Sequence, residues 1–314
     1  MNSAHDLMEQ LRVEGASRYA GTALAADHSG VTRRVRRGRA VRTSALSVAG
    51  VVAAGAAVFG ASQILGSVAE PIATPTAPSG PTSAPSVSDS PVEIATISVH
   101  KQERIEDIAT DLAATFGGTQ QEALDAITQS LPEEAKGNPE GWVAVGDYSL
   151  DATSTLREGA VQLVAPVLKA LEAAGVPREK WNDTVILASI VQQEAPAGHS
   201  QQSAVARVLL NRLDAEMPLQ LESPLAYFLR ADERVISDDG WAVDTPYNTY
   251  MYNGLPPSAI GAPTQEALEA AADPADGDWM FFLRKKDGNV LFFTNYEEFA
   301  VAVDEEFPGT GASE

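Results

Sequence analysis

The chain of 314 residues has no cysteine and only four histidines. Without cysteine it can form no disulfide, no thiol nucleophile and no cysteine-ligated zinc site. The histidines, at positions 5, 28, 100 and 199, show neither an HExxH motif nor another paired spacing typical of zinc hydrolases. These absences favour chemistry that needs neither a thiol nor a metal ion.

Positive charge is scarce after the first 43 residues. Residues 1–43 hold 8 Lys+Arg and 4 Asp+Glu, whereas the rest of the chain holds 14 Lys+Arg and 39 Asp+Glu. An acidic surface of this kind repels nucleic acid and anionic lipid. We therefore expect no nucleic-acid partner.

Charge of either sign is missing from residues 44–65, a run of 22 residues that follows six arginines between Arg33 and Arg42. Such a run can cross a hydrocarbon core of ~30 Å as a helix, and arginine on its N-terminal side predicts an N-terminus inside the cell. A cleaved signal peptide is the alternative, because Ser67-Val68-Ala69 has small residues at the spacing of a cleavage site. We expect a cytoplasmic tail over 1–43, an uncleaved single-pass transmembrane helix over 44–66, and the remainder outside the cytoplasmic membrane.

Large apolar side chains are nearly absent from residues 67–91, which are rich in Pro, Ser and Thr. A segment of this composition cannot bury enough apolar surface to offset the entropy of ordering, so we predict a disordered linker. A second disordered segment is expected at the C-terminal tail, 308–314.

Residues 92–150 predict a small α+β module with the order strand, helix, helix. VEIATISV at 92–99 alternates like a strand, and apolar residues recur at helical spacing over 103–116 and 121–131. Residues 139–148 are predicted to be an extended connector with exposed aromatic side chains, Trp142 and Tyr148. These rings are more typical of a seal between domains than of a ligand contact.

Residues 151–307 predict a mixed α+β domain. An Asp287-Gly288 turn between two apolar runs indicates a β-hairpin. The hydrophobic spacing predicts helices around it, at 156–174, 184–194 (capped by Asn182 or Asp183), 200–215, 265–272 and 296–307.

One acid of this domain, Glu194, lies in phase with Leu187, Ile190 and Val191 at i, i+3, i+4 and i+7 on a predicted helix. A carboxyl on the apolar side of a helix loses hydration of its charged form, which raises its pKa and suits a general acid. Taken alone, this helix favours a solvated glutamate at a fraying end, which is the more ordinary arrangement.

A second stretch, DTPYNTYMYNGLPP at 244–257, combines aromatic, amide and carboxylate side chains with turn residues. Sugars are bound by this mixture, since ring faces stack on aromatic residues while hydroxyl and N-acetyl groups pair with Asn, Asp and Gln. An extended segment, 217–222, precedes it and ends at another acid, Glu222. Together, the helix that carries Glu194 and the loop at 244–257 predict a carbohydrate-cleaving site.

The segments ASIVQQEA, LLNRLDAEMPLQ and TPYNTYMYNGLPPSAI, with the Asp-Gly hairpin, closely resemble the membrane-anchored endolytic murein transglycosylases of the MltG (YceG-like) family. The resemblance covers about 92–307 and includes a LysM-like module at 92–150. It implies cleavage of uncrosslinked peptidoglycan strands to 1,6-anhydro-N-acetylmuramyl ends near the cell-wall synthesis machinery, without metal or cofactor. By resemblance Glu194 is the catalytic acid, and the substrate-binding positions are Gln220, Glu222, Asp244, Tyr247, Asn248, Thr249 and Tyr250.

The chain departs from the family pattern at several polar positions. The first acid of the family's motif is Gln192, the usual Asp after the LQ pair is Glu222 with the Pro displaced to Pro224, and an expected Asn is Ala262; Val290 and Phe299 stand where many members have His. Two alternatives stay open at this point. One is a weak or inactive peptidoglycan-binding scaffold protein, and the other is a conventional hydrolase that uses Glu222 or Asp244 as second carboxylate.

Overall fold

The computed structural model describes residues 93–195, 198–231 and 236–308, which belong to one compact unit. The predicted tail, transmembrane helix and linker lie outside the described residues, as does all but the first residue of the C-terminal tail. Among the residues that are described, no helix combines the length and apolarity needed to cross a membrane. The described part has the predicted mixed α+β composition.

The N-terminal part is a two-stranded sheet with two helices. In chain order it contains β1 (Ile94–Val99), α1 (Ile105–Phe116), α2 (Gln120–Gln129), a 3-10 turn (Glu133–Ala135) and β2 (Gly146–Asp151). The strands are antiparallel, with Ile97 opposite Tyr148. The prediction of a connector was wrong at β2, because in GDYSLD only Leu150 is fully buried and the hydrophobic alternation is too weak to indicate a strand.

The aromatic residues before and within β2 are not exposed, which also corrects the prediction. Trp142 is 1% exposed and packs in the larger hydrophobic core, while the partly buried Tyr148 donates a 2.7 Å hydrogen bond to the carbonyl of Ala144. Trp142 belongs to the larger core and Tyr148 packs against the smaller one, and the role of both rings as a seal between domains stays a prediction.

The C-terminal part is mainly helical and ends in a hairpin. Its elements are α3 (Leu156–Ala173), a 3-10 turn (Arg178–Lys180), α4 (Trp181–Glu194), α5 (His199–Asp214), α6 (Glu222–Leu229), α7 (Asp238–Trp241), α8 (Gln265–Ala272), β3 (Phe281–Arg284), β4 (Val290–Phe293) and α9 (Tyr296–Glu306). The predicted helices and hairpin are confirmed. The sequence did not predict α6 and α7, which are short.

Side chains cap several of these helices where the sequence predicts helix starts. Thr155 and Glu158 form a capping box at α3, and Thr264 accepts the amide of Ala267 at α8. The predicted cap of α4 was wrong: the helix already begins at Trp181, continuing the preceding 3-10 turn, and has no side-chain cap.

Helix α4 is central and not amphipathic. Every residue from Thr184 to Gln192 is buried, on all sides of the helix, as expected for a helix in the middle of a domain. Helices α5 and α8 pack against it. With the second half of α3 they form the larger core, represented by Leu171, Val185, Ile190, Leu209 and Leu268.

A smaller core lies between β1, α1, α2 and the first half of α3, represented by Ile97, Ile108, Leu112, Ile127 and Leu163. One helix, α3, therefore contributes to both cores. The boundary between domains at 150/151 stays a prediction.

Candidate active site

Glu194 is the last residue of α4, where the central helix reaches the edge of the core. Its side chain is partly buried, and its Oε1 accepts a hydrogen bond of 2.6 Å from Oγ of Ser223. The backbone carbonyls at a helix C-terminus carry partial negative charge, which disfavours a carboxylate there. The position therefore favours the protonated acid.

The electrostatic surroundings of Glu194 agree with this. Burial raises the pKa of its carboxyl above the usual value, while the hydroxyl of Ser223 and the nearby charge of Arg284 act in the opposite direction. Arg284, on β3, is anchored by a 3.2 Å hydrogen bond from Nη1 to the carbonyl of Gln193. The carboxyl is thus poised to hold a proton and to accept a charge after releasing it.

Ser223, the partner of this acid, was not predicted as a site residue. It is 2% exposed and occupies the second position of α6, directly after Glu222. A signal was present, because Pro224 is compatible with the first turn of a helix and the five residues that follow it, 225–229, are all apolar or aromatic. We expected an extended segment to end here, and the start of α6 was missed.

The extended segment before α6 is tied to the predicted sugar-binding loop. The amide of Gln220 donates to the carbonyl of Thr249 at 3.0 Å, and the amide of Leu221 donates to Oγ1 of Thr249 at 2.8 Å. Oγ1 in turn donates to the carbonyl of Leu221 at 3.0 Å. The segment 217–222 and the loop 244–257 are therefore joined by hydrogen bonds, although Gln220 and Thr249 are 29 residues apart in the chain.

Arg212 supports the same junction from the side of α5. It is 7% exposed and donates to the carbonyls of Met280 and Leu219 at 2.7 and 2.8 Å. Its Nη1 also lies 3.5 Å from Oε1 of Gln220. Burial lowers its pKa to about 10, so the guanidinium remains charged at neutral pH.

Asn248 and Thr249 shape the loop from inside. They are 0% and 1% exposed. The Nδ2 of Asn248 donates to the carbonyls of Trp241 and Val243 at 3.0 and 3.2 Å, which links the loop to α7. The structure gives both side chains a structural role, and substrate binding through them stays a prediction.

The aromatic residues of the loop are more accessible. Tyr247 is partly buried, shares a 2.6 Å hydrogen bond with Ser258, and packs its ring 5.6 Å from that of Phe228, nearly parallel. Tyr250 meets the ring of Trp241 edge to face at 5.4 Å. These rings border the same loop, as a sugar-binding surface requires.

The two carboxylates proposed as alternatives have different positions. Asp244 is exposed and accepts a hydrogen bond from the hydroxyl of Tyr252. Glu222 is partly buried as the first residue of α6, beside the serine that contacts Glu194. Within the described residues no group of His, Asp and Glu is arranged to hold a metal ion.

At four positions where the chain departs from the family pattern, the residues are held by packing or by hydrogen bonds between neutral groups. Gln192 is 2% exposed and accepts a 2.6 Å bond from Thr264, and the amide of Ala262 donates to the carbonyl of Glu103 at 2.9 Å. Val290 belongs to the larger core, while the ring of Phe299 stacks on Phe281 at 5.4 Å.

Comparison with known proteins places this arrangement in a family. A crystal structure of a yceG-like protein from Listeria monocytogenes is similar in fold, with a TM-score of 0.53 at 23% identity, over 66% of this chain and 76% of that one. An endolytic murein transglycosylase of Bacillus subtilis is 34% identical over 36% of this chain, and one of Streptococcus pneumoniae is 26% identical over 55%. The matched stretches span only 31% and 33% of those two relatives. The sequence pattern of the YceG-like family matches residues 81–305, and this chain belongs to that family.

Proposed function

We propose that this protein is an endolytic lytic transglycosylase, a lyase that cleaves nascent peptidoglycan strands and leaves 1,6-anhydro-N-acetylmuramyl ends. The observation that supports this most directly is Glu194, a carboxyl with a raised pKa held by the hydroxyl of Ser223 at the end of a buried helix. The proposal is further supported by the two similar relatives, which are named endolytic murein transglycosylases.

In the first step the protonated Glu194 donates its proton to the glycosidic oxygen, and the bond between that oxygen and C1 of the muramyl sugar breaks. The positive charge that develops at the sugar ring is met by the carboxylate that remains. Because Ser223 occupies Oε1, Oε2 is the oxygen available for proton transfer. The serine thereby orients the acid as well as stabilising its charged form.

In the second step the same carboxylate takes the proton of the muramyl C6 hydroxyl, and the C6 oxygen bonds to C1 within one sugar. The proton balance closes, since Glu194 ends protonated and no water is consumed. A single acid that acts twice needs a pKa near the working pH. Burial on one side, and Ser223 with Arg284 on the other, supply opposing influences on that pKa.

The remainder of the chain would deliver this site to its substrate. We propose that residues 44–66 span the cytoplasmic membrane once with the N-terminus inside, that 67–91 act as a flexible tether, and that the module at 92–150 is LysM-like and binds glycan strands. The catalytic part then lies outside the membrane, close to the cell-wall synthases, where cleavage would end strand elongation. The charge-free run and the Pro-rich linker in the sequence support this placement.

The test is incubation of the purified full chain with uncrosslinked glycan strands, followed by mass spectrometry of the new ends. Anhydro ends that disappear in Glu194→Gln are expected. The matched control is Glu172→Gln, an exposed glutamate near the end of α3, which should leave cleavage unchanged. Reducing ends would instead indicate a hydrolase, and strand binding without cleavage would indicate the scaffold protein; either result contradicts the proposal.

A further inference from the structure

A second buried carboxyl, Glu140, lies where the N-terminal part meets α6, and the proposed mechanism does not use it. Glu140 is 5% exposed, and its Oε2 accepts a 2.7 Å hydrogen bond from the hydroxyl of Tyr227. Its Oε1 accepts a 3.3 Å bond from the amide of Ile105, the first residue of α1. Because a buried carboxyl is costly unless it is hydrogen-bonded, the bonds from Tyr227 and Ile105 are needed to hold Glu140 in this position.

The backbone that presents Glu140 is tightly packed. The next residue, Gly141, has a φ of +80°, and a Cβ there would lie 2.4 Å from Cβ of Ala259 and 3.0 Å from Cγ1 of Val185. The amide of Glu140 is held by Oδ1 of Asn138 at 3.0 Å. The carboxyl therefore projects from a support that is fixed against α4.

Tyr227 is held on more than one side. In addition to the bond from its hydroxyl to Glu140, the guanidinium of Arg104 lies 3.9 Å from its ring centroid and Nη2 of Arg104 donates to its carbonyl. Its ring also packs at 5.8 Å from that of Tyr247 in the sugar-binding loop. The titratable groups that face Glu140 are Tyr227 from α6, with Arg104 and Glu106 from the start of α1.

Ser223 and Tyr227 occupy positions i and i+4 of α6. Such residues lie on the same face of a helix, about one turn apart. From that face one hydroxyl reaches Glu194 at 2.6 Å and the other reaches Glu140 at 2.7 Å. A rotation of α6 that released Tyr227 would therefore also withdraw Ser223 from the acid.

We infer that Glu140 is a positioning residue: with Arg104 it anchors Tyr227, and through Tyr227 it fixes the rotation of α6 that places Ser223 on Glu194. The inference rests on the proposed function to the extent that Glu194 is taken as the acid. The N-terminal part thereby contributes to the reaction through the buried hydrogen bond between Glu140 and Tyr227.

The kinetic test compares variants of the full chain on uncrosslinked strands. Glu140→Leu removes the acceptor, and we expect kcat to fall about tenfold with KM within about twofold, because orientation of the acid is lost and not substrate binding. We expect the kcat of Tyr227→Phe to fall to the same extent. The kcat of the double variant should fall no further than that of either single variant. Glu140→Gln keeps an acceptor oxygen and should recover most of the activity.

The matched control is Arg230→Gln. Arg230 also joins α6 to α1, through an exposed 2.8 Å ion pair with Glu106, so a general weakening of this contact would affect it as well. We expect its kcat to be unchanged. Equal losses in Arg230→Gln and Glu140→Leu would overturn the inference.

A readout that does not depend on cleavage is the titration of the Glu194 carboxyl by ¹³C NMR. Loss of the bond from Ser223 should shift its midpoint upward in Glu140→Leu, and Ser223→Ala should give the same shift. If the Glu194 titration in Glu140→Leu matches that of the unmodified chain, the inference is wrong. If the unmodified chain cleaves no strands, the proposed function fails, yet this titration still decides the positioning role.

Discussion

Glu194 and Glu140 are two carboxyls held by the same face of one helix, and they differ in what surrounds them. Each accepts a short hydrogen bond from a hydroxyl of α6, and burial raises the pKa of both. Glu194 is partly exposed at the C-terminus of α4, whereas Glu140 is 5% exposed and faces the N-terminus of α1. The partial negative charge at the C-terminus of α4 disfavours a carboxylate at Glu194. The partial positive charge at the N-terminus of α1 favours one at Glu140.

The difference shows that a raised pKa and a hydroxyl partner do not by themselves identify a catalytic acid. Only a carboxyl that a substrate can reach is able to transfer a proton to it. Glu140 has no such access, so its carboxyl can act only on the protein itself. Helix α6 connects the two, because it carries both hydroxyls.

Exchange of each acid for its amide is the strongest way to separate the two roles. Glu194→Gln removes the proton that the proposed reaction needs, and we expect cleavage to fall by about a thousandfold. Glu140→Gln keeps an oxygen for Tyr227 and should retain most of the activity. Initial rates of anhydro-end formation measure both. Comparable losses of cleavage rate in the two variants would contradict the separate roles of Glu194 and Glu140.

The rigidity of the junction is tested at Gly141. Alanine there is strained by the positive φ and meets Ala259 and Val185, so we expect a loss of roughly 3 kcal/mol in the free energy of unfolding. Gly175→Ala is the control, since φ is +66° there but no atom lies within 4 Å of the added Cβ. It should lose only about 1 kcal/mol. Chemical denaturation measures both, and equal losses would show that close packing at Gly141 contributes little.

The pH dependence of stability should distinguish Glu140 from an exposed acid. Burial raises its pKa from 4.5 to about 7. Its neutral form is therefore favoured in the folded state, and this contribution is present below pH 4.5 and lost as the pH rises through about 7. The unmodified chain should lose roughly 3 kcal/mol over this range relative to Glu140→Gln. Thermal unfolding at several pH values measures the difference, and parallel curves would argue against a buried titrating carboxyl.

Removal of the hydroxyl of Ser223, near the N-terminus of α6, should have the smallest effect. Ser223→Ala deletes the hydrogen bond that lowers the pKa of Glu194, so the acid should stay protonated to a higher pH. We expect the alkaline limb of the pH profile of kcat to move to higher pH. The maximal kcat should fall about tenfold, because the carboxyl of Glu194 is no longer oriented by the serine. A limb that moves to lower pH would show that Ser223 does not stabilise the carboxylate.

The sequence by itself predicted most of the regular elements, and it identified Glu194 as the candidate acid. Hydrophobic spacing and turn residues are local signals, so α4 with Glu194, the helix α8 and the hairpin at Asp287-Gly288 were predicted correctly. The motifs around the acid also carried the family resemblance, which the match over 81–305 confirmed. Short elements with weak patterns, β2 and α6, were missed.

Only the tertiary structure decided what the acid touches. Ser223 is 29 residues from Glu194, and Tyr227 is 87 residues from Glu140, so neither contact leaves a periodic pattern in the sequence. Both depend on how α6 packs against α4 and its other neighbours, which local spacing does not encode. The burial of Glu140 likewise arises from packing, because a glutamate in a polar loop is usually solvated until another segment covers it.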